Sequence, residues 1–299
     1  MMDYPKFNPV KNPINLRQRV VRFFNEKRNF IVRPINKERN NKKQMGFEEF
    51  FVQESTKAIE SPQTSITEFM DLVSQTLPEG DLYLFGGILR DLALFGRKGF
   101  NSDIDLVIDG DWSLSLPRMM KLGAKKNKFG GLRFYHNAIP IDIWPANETW
   151  AIKEGYVTYI NAKSLLNTTV LNWDAILMNW RTKTFSFVPN YFEDINTRSM
   201  DIVLDKNPNP LGMTVRVLRH LLLKDARKLS KSVFEYLKNA TNQYSYEKIR
   251  ESEISSYGES LIHQDIYFSF KDEHLLFSEC EQNYFYMIEQ MKNPTRNLF

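Results

Sequence analysis

Asp103 and Asp105 stand one residue apart in Ser-Asp-Ile-Asp-Leu-Val-Ile-Asp (102–109), where Ile104, Leu106 and Ile108 alternate with Asp103, Asp105, Val107 and Asp109. In an extended strand residues i and i+2 leave from the same face. Two carboxylates therefore project together while three aliphatic side chains enter a core on the other side. Carboxylates this close repel, and one takes up a proton unless a cation neutralises them. Mg²⁺ accepts oxygen ligands and retains substrate phosphates among them, so the pair predicts a seat for a metal-bound nucleotide. Asp142, between Ile141 and Ile143 on a later apolar stretch, is the candidate third carboxylate of a two-metal site.

Upstream, Leu-Tyr-Leu-Phe (82–85) runs into Gly86-Gly87 and then into Ile-Leu-Arg-Asp-Leu-Ala-Leu-Phe, closed by Gly96. This reads as strand, tight turn and helix. The glycine pair lets the backbone approach a triphosphate, and the helix start offers free N–H groups and its positive dipole end. Arg90, one turn into the helix, either reaches a phosphate or holds Asp91 and the loop in shape.

The elements that must position these residues follow from periodicity. Residues 47–60 and 64–77 read as two short helices, 102–109 as a strand, and Leu-Arg-Phe-Tyr-His (132–136) with Ile-Pro-Ile-Asp-Ile-Trp (139–144) as a hairpin about Asn137-Ala138. Residues 157–160 and 184–188 read as strands, 171–180 as a buried helix and 211–240 as one long helix. The rest, through 247–264 and 273–292, reads as helix-rich. The expected fold is α/β (α+β): a mixed sheet with helices, followed by a helical C-terminal region. The expected division is a basic arm over 1–45, a catalytic domain over 46–205 and a helical domain over 206–299.

Composition narrows the setting. A hydrophobic content of 42% and a charged content of 25% are those of a globular chain. No apolar run approaches the ~20 residues a membrane helix needs, the N-terminus lacks the apolar core of a secretory signal, and Cys280 is the only cysteine. A cytoplasmic location is expected. The net charge of +4 is uneven: 12 of the 40 Lys and Arg, but 3 of the 36 Asp and Glu, fall in residues 1–45, leaving 28 against 33 elsewhere. Basic residues interleaved with Phe23, Phe24 and Phe30 can neutralise phosphates and stack on bases. A solvated tail or an organelle transit peptide has the same composition. Lys121, Lys125, Lys126 and Lys128 form a second basic cluster, Trp144 is a candidate for lining a base pocket, and His220 reads as a packed or surface residue.

The succession Phe-Gly-Gly-Ile-Leu-Arg-Asp (85–91) and Ser-Asp-Ile-Asp-Leu-Val-Ile (102–108) resembles the head-domain signature of the polymerase-β-like nucleotidyltransferase superfamily, in particular class II CCA-adding enzymes and bacterial poly(A) polymerases. The resemblance implies that Gly86 and Gly87, with Arg90 and Asp91, hold an NTP, either ATP or CTP. It also implies that Asp103 and Asp105, with Asp142, bind two Mg²⁺ ions, and that a hydroxyl attacks the α-phosphorus with release of pyrophosphate. The family's Arg-Arg-Asp-Phe-Thr-x-Asn-Ala motif is met only by Thr-Thr-Val-Leu-Asn-Trp-Asp-Ala (168–175), with Asp174 in the place of the asparagine. Its nucleotide-selecting Glu-Asp-x-x-Arg helix is echoed in 212–222, which keeps Arg216 and Arg219 but has Gly212 and Met213 where the acids stand. The implied acceptor is an RNA 3′ end, tRNA-like among the options, bound by the basic arm and the C-terminal helices. Transfer to a protein or small-molecule acceptor, or a non-catalytic nucleic-acid-binding module, are the alternatives.

Overall fold

The computed structural model describes residues 6–25, 66–75, 77, 80–100, 102–121, 123–127, 130–136, 139–271, 277–279 and 284–287. The expected helix over 47–60 and the basic arm beyond Asn25 lie outside the described residues.

Helix α1 (Pro13–Asn25) is started by Asn12, whose side chain accepts from the Asn15 N–H, with Pro13 at the first helical position. Its Leu16, Val20, Phe23 and Phe24 recur at helical spacing and are buried in the main core. Phe23 packs edge-on against Phe100, and Phe24 against Trp180. This part of the N-terminal segment is thus not a free arm. The two phenylalanines expected to stack on bases are instead core residues, because apolar surface of that size is more stable inside. Helix α2 (Ile66–Gln75) follows, then strand β1 (Asp81–Phe85), helix α3 (Gly87–Leu94), strand β2 (Ile104–Asp109) and helix α4 (Trp112–Lys121). Arg19 of α1 donates to the Leu92 and Ala93 carbonyls at the end of α3, where a cation is favourable.

Strands β3 (Lys125–Lys126), β4 (Leu132–His136), β5 (Ile139–Pro145), β6 (Ile176–Asn179) and β7 (Phe185–Phe187) complete a seven-stranded sheet of order β3-β4-β5-β2-β1-β6-β7. Only β2 and β5 run parallel. The expected hairpin is β4–β5. Ile104, Leu106, Ile108, Ile141, Ile143, Leu84 and Met178 supply the main core. The opposite face carries a smaller core of Phe85, Val107 and Leu177 under a six-residue 3₁₀ helix, Ala162–Asn167, with Leu165 and Leu166. Between β5 and β6 lie the short helix α5 (Trp150–Lys153) and irregular chain.

Three expectations are corrected. Residues 171–180 are not a helix but one 3₁₀ turn, Asn172–Asp174, leading into β6. All four β6 residues are buried because the strand lies inside the sheet with both faces covered, which erases the alternation that marks a strand. Residues 157–160 form no strand; there Tyr159 donates its hydroxyl to Asp109. The long helix over 211–240 is two: α7 (Pro210–Leu223) stops before Asp225, whose φ of 58° is left-handed, and α8 (Lys231–Gln243) begins after strand β9 (Lys228–Ser230).

Helix α6 (Tyr191–Thr197) and strand β8 (Ser199–Met200) precede α7; helices α9 (Tyr246–Tyr257) and α10 (Gln264–Lys271) and strands β10 (Phe277–Glu279) and β11 (Tyr284–Met287) follow α8. The C-terminal region is largely helical as expected, but the described part of 273–292, expected to be helix-rich, is instead the strands β10 and β11 of a small second sheet of order β10-β11-β9-β8. Because β8 pairs with β9, this sheet crosses the expected domain boundary at 205/206.

Candidate active site

The sheet register places the carboxylates. Asp105 on β2 is the direct partner of Asp142 on β5, and Asp142 is the direct partner of Arg133 on β4. Directly opposed residues share a face, so Arg133, Asp142 and Asp105 form a row across three strands, continued by Phe85 on β1. Asp103 stands just before β2, two residues from Asp105. Arg133 spans the cluster: its Nε donates to Asp142 Oδ1 at 2.7 Å and one Nη to Asp142 Oδ2, while the same Nη lies 3.3 Å from Asp103 Oδ2.

Burial raises the Asp105 carboxyl, repulsion from Asp103 and Asp142 raises it further, and the group is pushed up to about 8. Asp103 is raised as well, again chiefly by burial, with Arg133 and Arg216 opposing. Such carboxylates are a site that wants positive charge. The donor set is all oxygen, which suits Mg²⁺. Among the described residues no three Asp, Glu, His or Cys side chains converge closely enough to enclose an ion, and the Asp142 carboxylate is aimed at Arg133.

The glycine turn lies beside this row. Gly86 caps α3 with φ 63° and ψ −118°, a conformation that L side chains rarely adopt. Its N–H donates to the Ile176 carbonyl and its carbonyl accepts from the Arg90 N–H. A Cβ on Gly87 would come within 3.2 Å of the Ser102 side chain. The Ser102 hydroxyl is buried and meets no hydrogen-bond partner among the described residues. A tight backbone turn, the start of an eight-residue helix and an unsatisfied hydroxyl suit the phosphates of a nucleotide.

Arg90 and Asp91 sit behind the turn rather than facing outward. Asp91 is fully buried and Arg90 nearly so. The guanidinium donates to Asp91 Oδ1 at 3.0 Å and is paired with Asp174, and Lys224 at the end of α7 donates to Asp91 at 2.7 Å. Of the two roles open to Arg90, the structure shows the shape-holding one. Burial would raise the Asp174 carboxyl, but Arg90, with His220 and Arg216, more than offsets that and holds it below its ordinary value.

The two arginines of α7 part company. Arg216 is exposed, and its charge acts on Asp103, Asp105 and Asp174, so it faces the acidic row. Arg219 is buried away from it, donating to Glu253 at 2.6 Å and Glu259 at 2.9 Å and lying over the Tyr257 ring. Its expected nucleotide contact is therefore corrected: Arg219 lies only about 60° round the helix from Arg216, but that offset turns it under α9, where Glu253 and Glu259 take its guanidinium. His220 is a packed residue as expected. Its Nδ1–H donates to the Arg216 carbonyl, and burial lowers the imidazole to about 3. Trp144 packs edge-on against Phe85 and donates its indole N–H to Thr149. Lys125 and Lys126 are exposed on β3.

No family model and no curated protein sequence matches the chain. Solved structures do. A CCA-adding enzyme of Thermotoga maritima complexed with tRNA superposes with a TM-score of 0.51 at 14% identity, over 74% of this chain and 53% of that one. A CCA-adding enzyme with ATP superposes at 0.49 and 16% identity, over 66% and 48%. A tRNA nucleotidyltransferase with a primer tRNA and an ATP analog superposes at 0.46 and 18% identity, over 67% and 59%. The chain spans about half the length of the structures it matches first. The likeness to the Thermotoga enzyme is one of fold, a mixed sheet followed by a helical region. In these features the chain is similar to CCA-adding enzymes. Among the described residues no helix is long and apolar enough to cross a membrane.

Proposed function

We propose that the chain is a nucleotidyltransferase that moves an NMP unit from an NTP to a hydroxyl at an RNA 3′ end. The observation that carries the reading is the register of β2 and β5, which sets Asp105 beside Asp142, with Asp103 two residues away and the Gly86-Gly87 turn next to them. In the reaction the attacking oxygen bonds to the α-phosphorus, the bond from that phosphorus to the bridging oxygen of the β-phosphate breaks, and pyrophosphate leaves. Mg²⁺ held by Asp103 and Asp105, with Asp142 the third carboxylate, would supply charge neutralisation at the phosphates. The Gly86-Gly87 turn positions the phosphates at the start of α3, with the Ser102 hydroxyl beside them. Asp142 orients the attacking hydroxyl and accepts its proton, and Arg216 lies where the nucleotide meets α7. Phosphoryl transfer of this kind rests on positioning and charge.

Incubation with Mg²⁺ and each α-³²P-labelled NTP, with and without total RNA, beside an Asp103→Ala/Asp105→Ala variant, tests the reading. Label in RNA that the variant abolishes supports it, and absence of label in every fraction overturns it. Label in protein would instead mark a protein acceptor.

A further inference from the structure

We infer that Arg133 is a built-in counter-cation of the acidic row, competing with a divalent ion for Asp142 and Asp103, so that it sets how tightly and how many such ions the chain holds. The inference rests on the proposed metal site and goes beyond it. Arg133 is placed by register: as the cross-strand partner of Asp142 it must project on the same sheet face. Its contact with Asp142 is two-pronged, from Nε and from Nη, the fork geometry in which arginine binds a carboxylate most specifically. The same guanidinium reaches Asp103, so two of the three expected metal ligands are engaged by one cation.

The arrangement divides the cluster. Among the described contacts Asp105 has no ion pair with Arg133; its cross-strand partner Asp142 and its near neighbour Asp103 are themselves carboxylates. The other arginine acting on the row, Arg216 from α7, feels Asp103 and Asp105 at longer range and holds no carboxylate within ion-pair distance among the described contacts. A first divalent ion therefore finds Asp105 and the free side of Asp103, while a second needs Asp142, which Arg133 occupies. Arg133 is not locked in place: its side chain is 40% exposed, against 16% for Asp142. It can swing outward along the edge of the row, and an incoming triphosphate offers it alternative anionic oxygens.

The test is a Mn²⁺ titration followed by the electron paramagnetic resonance signal of the free ion. It compares the wild type, Arg133→Met, Asp142→Asn and the Arg133→Met/Asp142→Asn pair, with far-UV circular dichroism to confirm folding. Arg133→Met should bind Mn²⁺ at least tenfold more tightly and gain a second site, and adding Asp142→Asn should remove that gain. Arg133→Lys, which keeps the charge but not the fork, should fall between. Unchanged or weaker binding in folded Arg133→Met, or binding in none of the proteins, overturns the inference. The titration reads metal without turnover. A tighter Arg133→Met in a chain that transfers no nucleotide would thus sink the proposed function alone, and a transferring chain with unchanged affinity would sink this inference alone.

Discussion

Replacing Arg90 by methionine separates the two roles that the residue could hold. The guanidinium is 7% exposed and lies between Asp91, fully buried, and Asp174, 15% exposed. After Arg90→Met, Asp91 keeps Lys224 at 2.7 Å, but Asp174 loses its direct partner and remains ionised in a nearly closed site. Removing one member of a buried ion pair costs about 3–5 kcal/mol, because the other charge stays desolvated. That is a large share of the roughly 5–15 kcal/mol that holds a domain folded. At about 2–4 °C per kcal/mol for a unit of 150–250 residues, the melting temperature should fall by roughly 6–20 °C. Urea unfolding followed by tryptophan fluorescence measures the loss, and calorimetry checks the temperature. Adding Asp174→Asn should recover part of it, since the orphaned charge is then gone. A loss under about 1 kcal/mol, together with a raised KM for NTP, would refute the argument and return Arg90 to the phosphates.

Gly86→Ala forces a side chain into φ 63°, ψ −118° and should cost about 1–3 kcal/mol while weakening NTP binding, read by melting temperature and by nucleotide titration. His220 has an ordinary pKa of 6.5 and is held near 3 by burial, so the unfolded chain takes the proton first. Stability should therefore decline by up to about 1.4 kcal/mol per pH unit as pH falls below 6.5. His220→Gln should flatten that slope, as urea midpoints at neutral and mildly acid pH would show. Phe23→Ala should destabilise by about 3–5 kcal/mol within the same cooperative transition as the sheet, because Phe23 is buried in the main core. A separate early transition in the urea or heat curve would show instead that α1 docks loosely.

What could be read in the sequence was what depends on local period. The alternation of Ile104, Leu106 and Ile108 with Asp103, Asp105 and Val107 gives both the strand and the face that bears the carboxylates, and Gly86-Gly87 marks the turn that the φ of Gly86 requires. What stayed hidden depends on tertiary cover. β6 has no alternation because it is buried on both sides, and α1 looks like a basic arm because its arginines hide the spacing of Leu16, Val20 and Phe23. Arg219 matched a motif, yet which face of α7 meets the site is decided by α9, far along the chain. Arg133 is different, since its position was implicit. The pairing of β4 with β5 sets His136 opposite Ile139, and counting outward along both strands sets Arg133 opposite Asp142. The residue that most alters the charge of the site was thus fixed by hairpin arithmetic alone. Motif reading passes over it because a motif records which residues stand in line along the chain, whereas the charge that a carboxylate meets is decided by whatever stands across the strand.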